Sequence, residues 1–199
     1  MAEAMTKQIS NQVDSKGTYT ATEVTEYLKT VFLRGERPDA ATLEKVLVAA
    51  LARFPSRDFV MFLSLVPLQV QEASEKIKGL KEAENDLERC CFAAFWKKWE
   101  ALRQIVTVSA GFEEIVQQNI ANVLIDSVVR IETDKLKAAL NVADVAAFLK
   151  AKKVAFTAEK NDIVFAANAF NSPEPSSNTT EKLTMPQILS VVNRSQWSL

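Results

Sequence analysis

Apolar residues recur every three or four positions through most of the first 130 residues, the spacing that aligns side chains on one face of an α-helix. The clearest stripe follows Asp39, a candidate N-cap, and consists of Leu43, Val46, Leu47, Ala50, Leu51 and Phe54. A second stripe is rich in aromatic rings: Phe92, Phe95, Trp96, Trp99, Leu102, Ile105 and Val106. At this spacing we expect the rings to pack in a helical core rather than to stack on nucleic-acid bases.

Glycine and proline divide this pattern into separate helices. Gly35 and Pro38 end a helix predicted over residues 23–33, and Pro55 and Pro67 bound a short one. A charge-rich helix is predicted over 71–88, and residues 112–130 are apolar on most sides, which is typical of a helix buried between neighbours. Helices joined by short connections predict a helical-repeat body, HEAT-like or TPR-like, over residues 18–130.

The pattern changes after residue 130. Two short helical segments, 133–140 and 142–153, are followed by two β-prone runs, 154–157 and 162–166, around a polar turn. Helix, helix and hairpin form the minimal winged-helix arrangement, so we predict a small winged-helix domain over residues 131–170. Apolar residues alternate along the hairpin as a half-buried strand requires: Val154, Phe156, Ile163 and Phe165.

The two ends of the chain lack this regularity. Residues 1–17 are polar, so we expect a flexible segment without a signal sequence, and proline, serine and threonine predict a solvated linker over 171–182. Residues 183–199 predict a C-terminal helix with Pro186 in its first turn. Its apolar stripe is too narrow for a stable isolated helix, so we expect it to dock in a bundle through Leu183, Ile188, Leu189 and Val192.

Composition limits the chemistry that the chain can perform. None of the 199 residues is histidine, which excludes Ser-His-Asp and Cys-His mechanisms and removes the commonest metal ligand. Cys90 and Cys91 are adjacent and cannot supply a zinc cage, so we expect reduced thiols packed in the core. A cluster of carboxylates is interpreted as solvated ion pairs rather than a metal site: Glu82, Glu84, Asp86 and Glu88. We predict no enzyme activity, cofactor or membrane span, although carboxylate-only chemistry stays open.

Four stretches, taken in order, resemble a known family. They are Ala49–Leu51 with Pro55 and Asp58-Phe59; Cys91–Trp96; Gly111–Glu113 with Ile131 nineteen residues beyond the phenylalanine; and Ile163–Phe165, a polar linker, then Glu181–Leu183. Their order and spacing, from about residue 40 to residue 196, are similar to those of subunit K of eukaryotic translation initiation factor 3.

This resemblance implies the PCI arrangement, in which helical repeats are followed by a winged helix, and a non-catalytic subunit. It implies membership of initiation factor 3, binding to its subunit L, and a contribution to the scaffold on the 40S ribosomal subunit during translation initiation. A cytoplasmic location, with the nucleus as a second site, and no small-molecule substrate would follow. The small PCI subunits of the proteasome lid and COP9 signalosome share the fold and stay alternatives, as does a nucleic-acid-binding winged helix.

Two surfaces are candidates for contact with partners. In PCI proteins the winged helices pack edge to edge, and an exposed hairpin edge carries unpaired backbone groups. We therefore expect an interface at the hairpin (Val154, Phe156, Ile163, Phe165) and at the C-terminal helix (Leu183, Ile188, Leu189, Val192). A basic patch of Lys150, Lys152 and Lys153 is interpreted as a solvated face or a weak contact with ribosomal RNA, since the net charge of −1 and the helix composition disfavour DNA readout.

Overall fold

The computed structural model describes residues 2–16, 19–109, 111–159, 161–172 and 184–195. These ranges are mainly helical with one small antiparallel sheet, which confirms the predicted fold class. In chain order the elements are α1 (Ala2–Lys16), α2 (Ala21–Leu33), α3 (Ala40–Ala52), α4 (Asp58–Ser64), α5 (Leu68–Ala73), α6 (Glu75–Glu88), α7 (Phe92–Leu102), α8 (Phe112–Ser127), β1 (Arg130–Glu132), α9 (Thr133–Leu140), α10 (Val145–Ala151), β2 (Phe156–Glu159), β3 (Asp162–Phe165) and α11 (Met185–Ser195). Within the described ranges, no helix combines the length and apolar character that crossing a bilayer would require.

Helix α3 lies at the centre of the helical body. Every residue from Val46 to Ala52 is buried, and α3 packs against α1, α4, α6 and α8. The predicted cap is confirmed, since Asp39 accepts a hydrogen bond from the backbone N–H of Thr42 at 2.9 Å. Hydrogen bonds from Thr42 also hold the pKa of Asp39 below its ordinary value. The cap therefore fixes where the most buried helix of the body begins.

The aromatic stripe forms the core between α7 and α8, as predicted. Phe95 and Trp99 are fully buried, and the Trp99 and Phe112 rings stack with centroids 4.2 Å apart. Ile105 is exposed because α7 already ends at Leu102, so its assignment to the stripe was wrong. The buried rings leave no face on which bases could stack.

Two boundaries differ from the sequence-based prediction, and one glycine inside a helix has a packing role. The charge-rich segment is two helices, because Ser74 ends α5 and its hydroxyl accepts from the Ile77 N–H to cap α6. Helix α8 ends at Ser127, since the following residues pair as the strand β1. Gly79 lies inside α6 where a Cβ would meet the Cδ2 atom of Leu102, so its missing side chain lets α6 and α7 approach closely.

Residues 2–16 form helix α1 instead of the flexible segment that their polarity predicted. Ile9 and Val13 lie one turn apart and are buried in the contact of α1 with α2 and α3. Gln12 donates a 2.8 Å hydrogen bond to Glu23 of α2. Ile9 and Val13, together with the hydrogen bond from Gln12, therefore hold α1 against its neighbours although most of its residues are polar.

The cysteine pair lies at the corner between α6 and α7. The N–H of Cys90 donates to the Leu87 carbonyl and that of Cys91 to the Asp86 carbonyl, the hydrogen bonds of a Schellman motif. Cys90 occupies the left-handed position with φ of 56°. Both thiols are exposed, so the expectation that they pack in the core was wrong. The turn points them outward although their neighbours in sequence are apolar.

The acidic cluster on α6 is only partly solvated. Asp86 is buried and forms an ion pair with the ammonium of Lys98 at 2.8 Å, and this pairing raises the pKa of Lys98. Glu84 is half-buried, and burial together with the neighbouring Glu88 carboxylate raises its pKa to about 7. No group of three or more histidine, cysteine or acidic side chains in the described ranges is arranged to hold a metal ion.

We expect Glu84→Gln to flatten the pH dependence of stability. Because the folded-state pKa of Glu84 is raised from 4.5 to about 7, its contribution favours folding below pH 4.5 and is lost as pH rises towards 7. Glutamine cannot ionise, so above pH 7 the variant should be more stable by about 1 kcal/mol after allowance for solvent screening. Urea unfolding at pH 5 and pH 8 measures this, with Glu100→Gln as the exposed control. An equal pH dependence in Glu84→Gln and wild type would contradict the assignment.

In the C-terminal part of the described fold α9 packs against α10 and β1, and the sheet has the strand order β1-β3-β2. Both strand pairs are antiparallel, with Ile131 opposite Ile163 and Phe156 opposite Phe165. Asn141 has a φ of 53° and ends α9, which confirms the predicted C-cap. Trp96 on α7 donates a 2.8 Å hydrogen bond to the Ala139 carbonyl of α9. This hydrogen bond and the packing of α7 on α9 join the helical body to the part with the sheet.

Candidate partner interface

The four hairpin residues predicted to meet a partner lie together in the structure. Ile163 and Phe165 belong to the central strand β3 and are buried, whereas Val154 and Phe156 are half-buried against the same core. The side chains of Ile163 and Phe165 therefore stabilise the chain's own sheet domain. A partner at the hairpin would meet the outer edge of β2 and the exposed side chain of Thr157.

Strand β2 is an edge strand of this sheet. Its inner side pairs with β3 through residues 156–159, and its outer side faces no strand among the residues that the structure describes. Unpaired backbone N–H and C=O groups along such an edge can accept a further strand. The geometry is thus compatible with the predicted edge-to-edge contact, which stays a prediction.

Helix α11 exposes an apolar stripe. Every residue from Thr184 to Ser190 is exposed, and the exposed fractions are 72% for Met185, 42% for Ile188 and 56% for Leu189. Gln187 accepts hydrogen bonds from the backbone N–H and the hydroxyl of Thr184, which closes the first turn. Of the other predicted anchors, Leu183 and the side chain of Val192 lie outside the described residues.

The basic patch lies at the end of α10 and on the turn that follows it. Lys150, Lys152 and Lys153 are all exposed, and the Lys152 ammonium lies 5.9 Å from the centre of the Phe148 ring. Lys153 has a φ of 57°, and its N–H donates to the Lys150 carbonyl. The patch is therefore displayed on a hydrogen-bonded turn, and its proposed contact with RNA stays a prediction.

Sequence reasoning missed one exposed aromatic residue. Phe170 follows the sheet, and 77% of its surface is exposed. It falls at the predicted boundary between the winged helix and the linker, where no apolar periodicity identifies it. The available signal was the pair of asparagines that flank it, Asn168 and Asn171, since asparagine commonly orders turns through its side chain.

Comparison with known proteins gives consistent results. A sequence model of the CSN8/PSMD8/EIF3K family matches residues 38–176. The chain is 27% identical over 153 residues to eukaryotic translation initiation factor 3 subunit K of Danio rerio, an alignment covering 76% of this chain and 69% of that protein. It is 28% identical over 158 residues to the subunit of the same name from Yarrowia lipolytica, an alignment that covers 75% of this chain and 67% of that protein. The subunit K from Phaeosphaeria nodorum is 29% identical to this chain over 119 residues. That alignment covers 51% of this chain and 49% of the relative.

Proposed function

The chain belongs to the CSN8/PSMD8/EIF3K family, and on that premise we propose that it is a non-catalytic scaffold subunit of eukaryotic translation initiation factor 3. The relatives that carry the name of subunit K support this choice within the family. The absence of histidine removes the commonest general base. In this role the chain acts in the cytoplasm by holding other subunits rather than by turning over a substrate.

The observation that carries the proposal is the open apolar face of α11. Met185, Ile188 and Leu189 lie at helical spacing and are exposed, whereas the apolar stripes of α3, α6 and α7 are buried within the chain. A helix of eleven residues is marginal in water unless its apolar face packs against another surface. We infer that other initiation factor subunits cover this face in a helical bundle.

The finer assignments follow from the family resemblance and are part of the same proposal. Subunit L is the expected direct partner, through α11 and the outer edge of β2. Contact with the 40S ribosomal subunit is expected through the complex as a whole. The proteasome lid and the COP9 signalosome are the competing assemblies, because their small PCI subunits share the fold.

Affinity purification decides between these assemblies. The tagged 199-residue chain is expressed in eukaryotic cells and purified under mild salt conditions, and the proteins recovered with it are quantified by mass spectrometry. We expect initiation factor 3 subunits, with subunit L prominent, and 40S proteins. Recovery of lid or signalosome subunits instead would transfer the chain to one of those complexes, and recovery of a solitary monomer would contradict a scaffold role.

A single substitution on α11 tests which surface mediates assembly. Leu189→Asp places a charge in the centre of the apolar stripe, so recovery of initiation factor subunits should fall by about tenfold or more. Ser190→Asp adds the same charge on the polar side of the helix and is expected to leave recovery near the wild-type level. Equal recovery with both variants would remove α11 from the interface. Because both positions are exposed, the thermal melt of the isolated chain should not change with either.

A further inference from the structure

A short loop after β3 is closed by the side chains of two asparagines. The Asn168 side-chain oxygen accepts hydrogen bonds from the backbone N–H groups of Phe170 and Asn171, each at 2.8 Å. In return the Asn171 side-chain oxygen accepts from the backbone N–H of Asn168, also at 2.8 Å. These reciprocal bonds fix the backbone on both sides of Phe170.

The same asparagines attach the loop to the end of α8. Asn171 Nδ2 donates to the Ile125 carbonyl and to the Ala166 carbonyl, each at 3.0 Å, and Asn168 Nδ2 donates to the Ile125 carbonyl at 3.3 Å. The Ile125 carbonyl lies in the last turn of α8, where helix carbonyls lack intrahelical partners. The loop therefore satisfies a helix end and is tied to a rigid element.

Phe170 projects from this ordered loop into solvent. With 77% of its surface exposed, it contrasts with Phe95 and Phe112 in the core, which are almost fully buried. An ordered backbone and a side chain with two rotatable bonds leave little conformational entropy to lose on binding. Aromatic residues of this kind dominate the binding energy of many protein interfaces.

Exposed apolar side chains lie where the Phe170 loop leaves the sheet. Phe165 donates from its backbone to the Val129 carbonyl at 2.8 Å, and Ala166 donates to the Ala155 carbonyl at 3.2 Å. These bonds bring Val129, Ala155 and Ala166 to this end of the sheet, and all three are exposed. The loop returns to the same place, since Asn171 Nδ2 donates to the Ala166 carbonyl.

We propose that Phe170 is a preformed anchor that inserts into an apolar pocket on a folded partner protein, a subunit of the same complex that covers α11. The inference rests on the proposed function, because it takes its partner from that assembly. Eleven residues separate Ser172 from Thr184, and an extended chain of that length spans at most about 40 Å. A single partner subunit whose binding surfaces lie within that distance can therefore engage both Phe170 and α11.

The test uses the tagged 199-residue chain and quantifies the initiation factor 3 subunits recovered with it. Phe170→Ala should lower recovery by about tenfold, as expected for a hot-spot residue. The matched control is Phe32→Ala, which removes an exposed phenylalanine from α2, before the family-matched region. This control should recover subunits as wild type does, and both variants should keep the wild-type thermal melt.

A second variant tests whether binding depends on the ordered loop as well as on an exposed apolar ring. Asn171→Ala keeps Phe170 but removes the hydrogen bonds of the Asn171 side chain to Asn168, Ile125 and Ala166, so recovery should fall severalfold as part of the preorganisation is lost. If the Phe170→Ala chain recovers as many initiation factor subunits as the wild-type chain does, the inference is overturned and the proposed function stays intact. Failure of the wild-type chain to recover any initiation factor subunit would instead overturn the proposed function. The inference would also be overturned if Phe170→Ala weakened self-association of this chain but left its binding to initiation factor subunits unchanged.

Discussion

Replacing Phe95 by alanine is expected to lower the free energy of unfolding by about 3–5 kcal/mol. The Phe95 ring is fully buried. Its centroid lies 5.0 Å from that of the Trp96 ring, in an edge-to-face arrangement, and 6.1 Å from that of the Trp99 ring, in a stacked arrangement. Alanine would leave a cavity between α7 and its neighbours that these large, interlocked rings cannot fill by small movements. The loss is a large fraction of the total stability of about 5–15 kcal/mol typical of a domain. Urea unfolding followed by tryptophan fluorescence measures it.

The control for this experiment is Phe32→Ala, which removes the same ring from an exposed position. Because 56% of Phe32 is exposed, we expect a change within about 0.5 kcal/mol. A difference between the two variants therefore reports burial and not the loss of a phenylalanine as such. An unfolding midpoint for Phe95→Ala equal to that of wild type would show that the aromatic stripe is not the core.

The helical body was predictable because its signals are local and repeated. A stripe such as Leu43, Val46 and Leu47 specifies a buried face regardless of what it packs against, and Asp39 identifies the start of the helix. Helix α9 (Thr133–Leu140) and the hairpin were predictable for the same reason, because the residues within each segment carry a local helix or strand pattern. These predictions needed no knowledge of tertiary contacts.

The errors concern features that depend on tertiary contacts. Strand β1 is only three residues long and exists because β3 is available to pair with it. Helix α1 is ordered by the contacts of Ile9 and Val13 with distant helices. The error at Cys90 has a different, local cause: the left-handed turn that ends α6 exposes it, and glycine usually marks that conformation whereas cysteine does not.

The interface prediction was limited for a related reason. Alternation along a strand shows that one face is apolar, but it does not show whether the chain itself or a partner covers that face. At Ile163 and Phe165 the chain covers the face itself. At α11 the described side chains remain exposed, so that stripe keeps its predicted role. Phe170 has no periodic apolar neighbours, and only the hydrogen bonds of its loop identify it.

Replacing Phe165 by alanine shows whether this apolar residue packs in the chain's own core or contacts a partner. The Phe165 side chain lies on the central strand and is buried, so its removal should lower the free energy of unfolding of the isolated chain by about 3–5 kcal/mol. Thr157→Lys changes an exposed residue on the neighbouring edge strand and should shift stability by no more than about 0.5 kcal/mol. Urea unfolding of the two purified variants measures both values. If Phe165 served a partner instead of the chain's own core, Phe165→Ala would unfold as wild type does and would lose only the recovered subunits. The structure requires the opposite order, with stability lost first and assembly lost as its consequence.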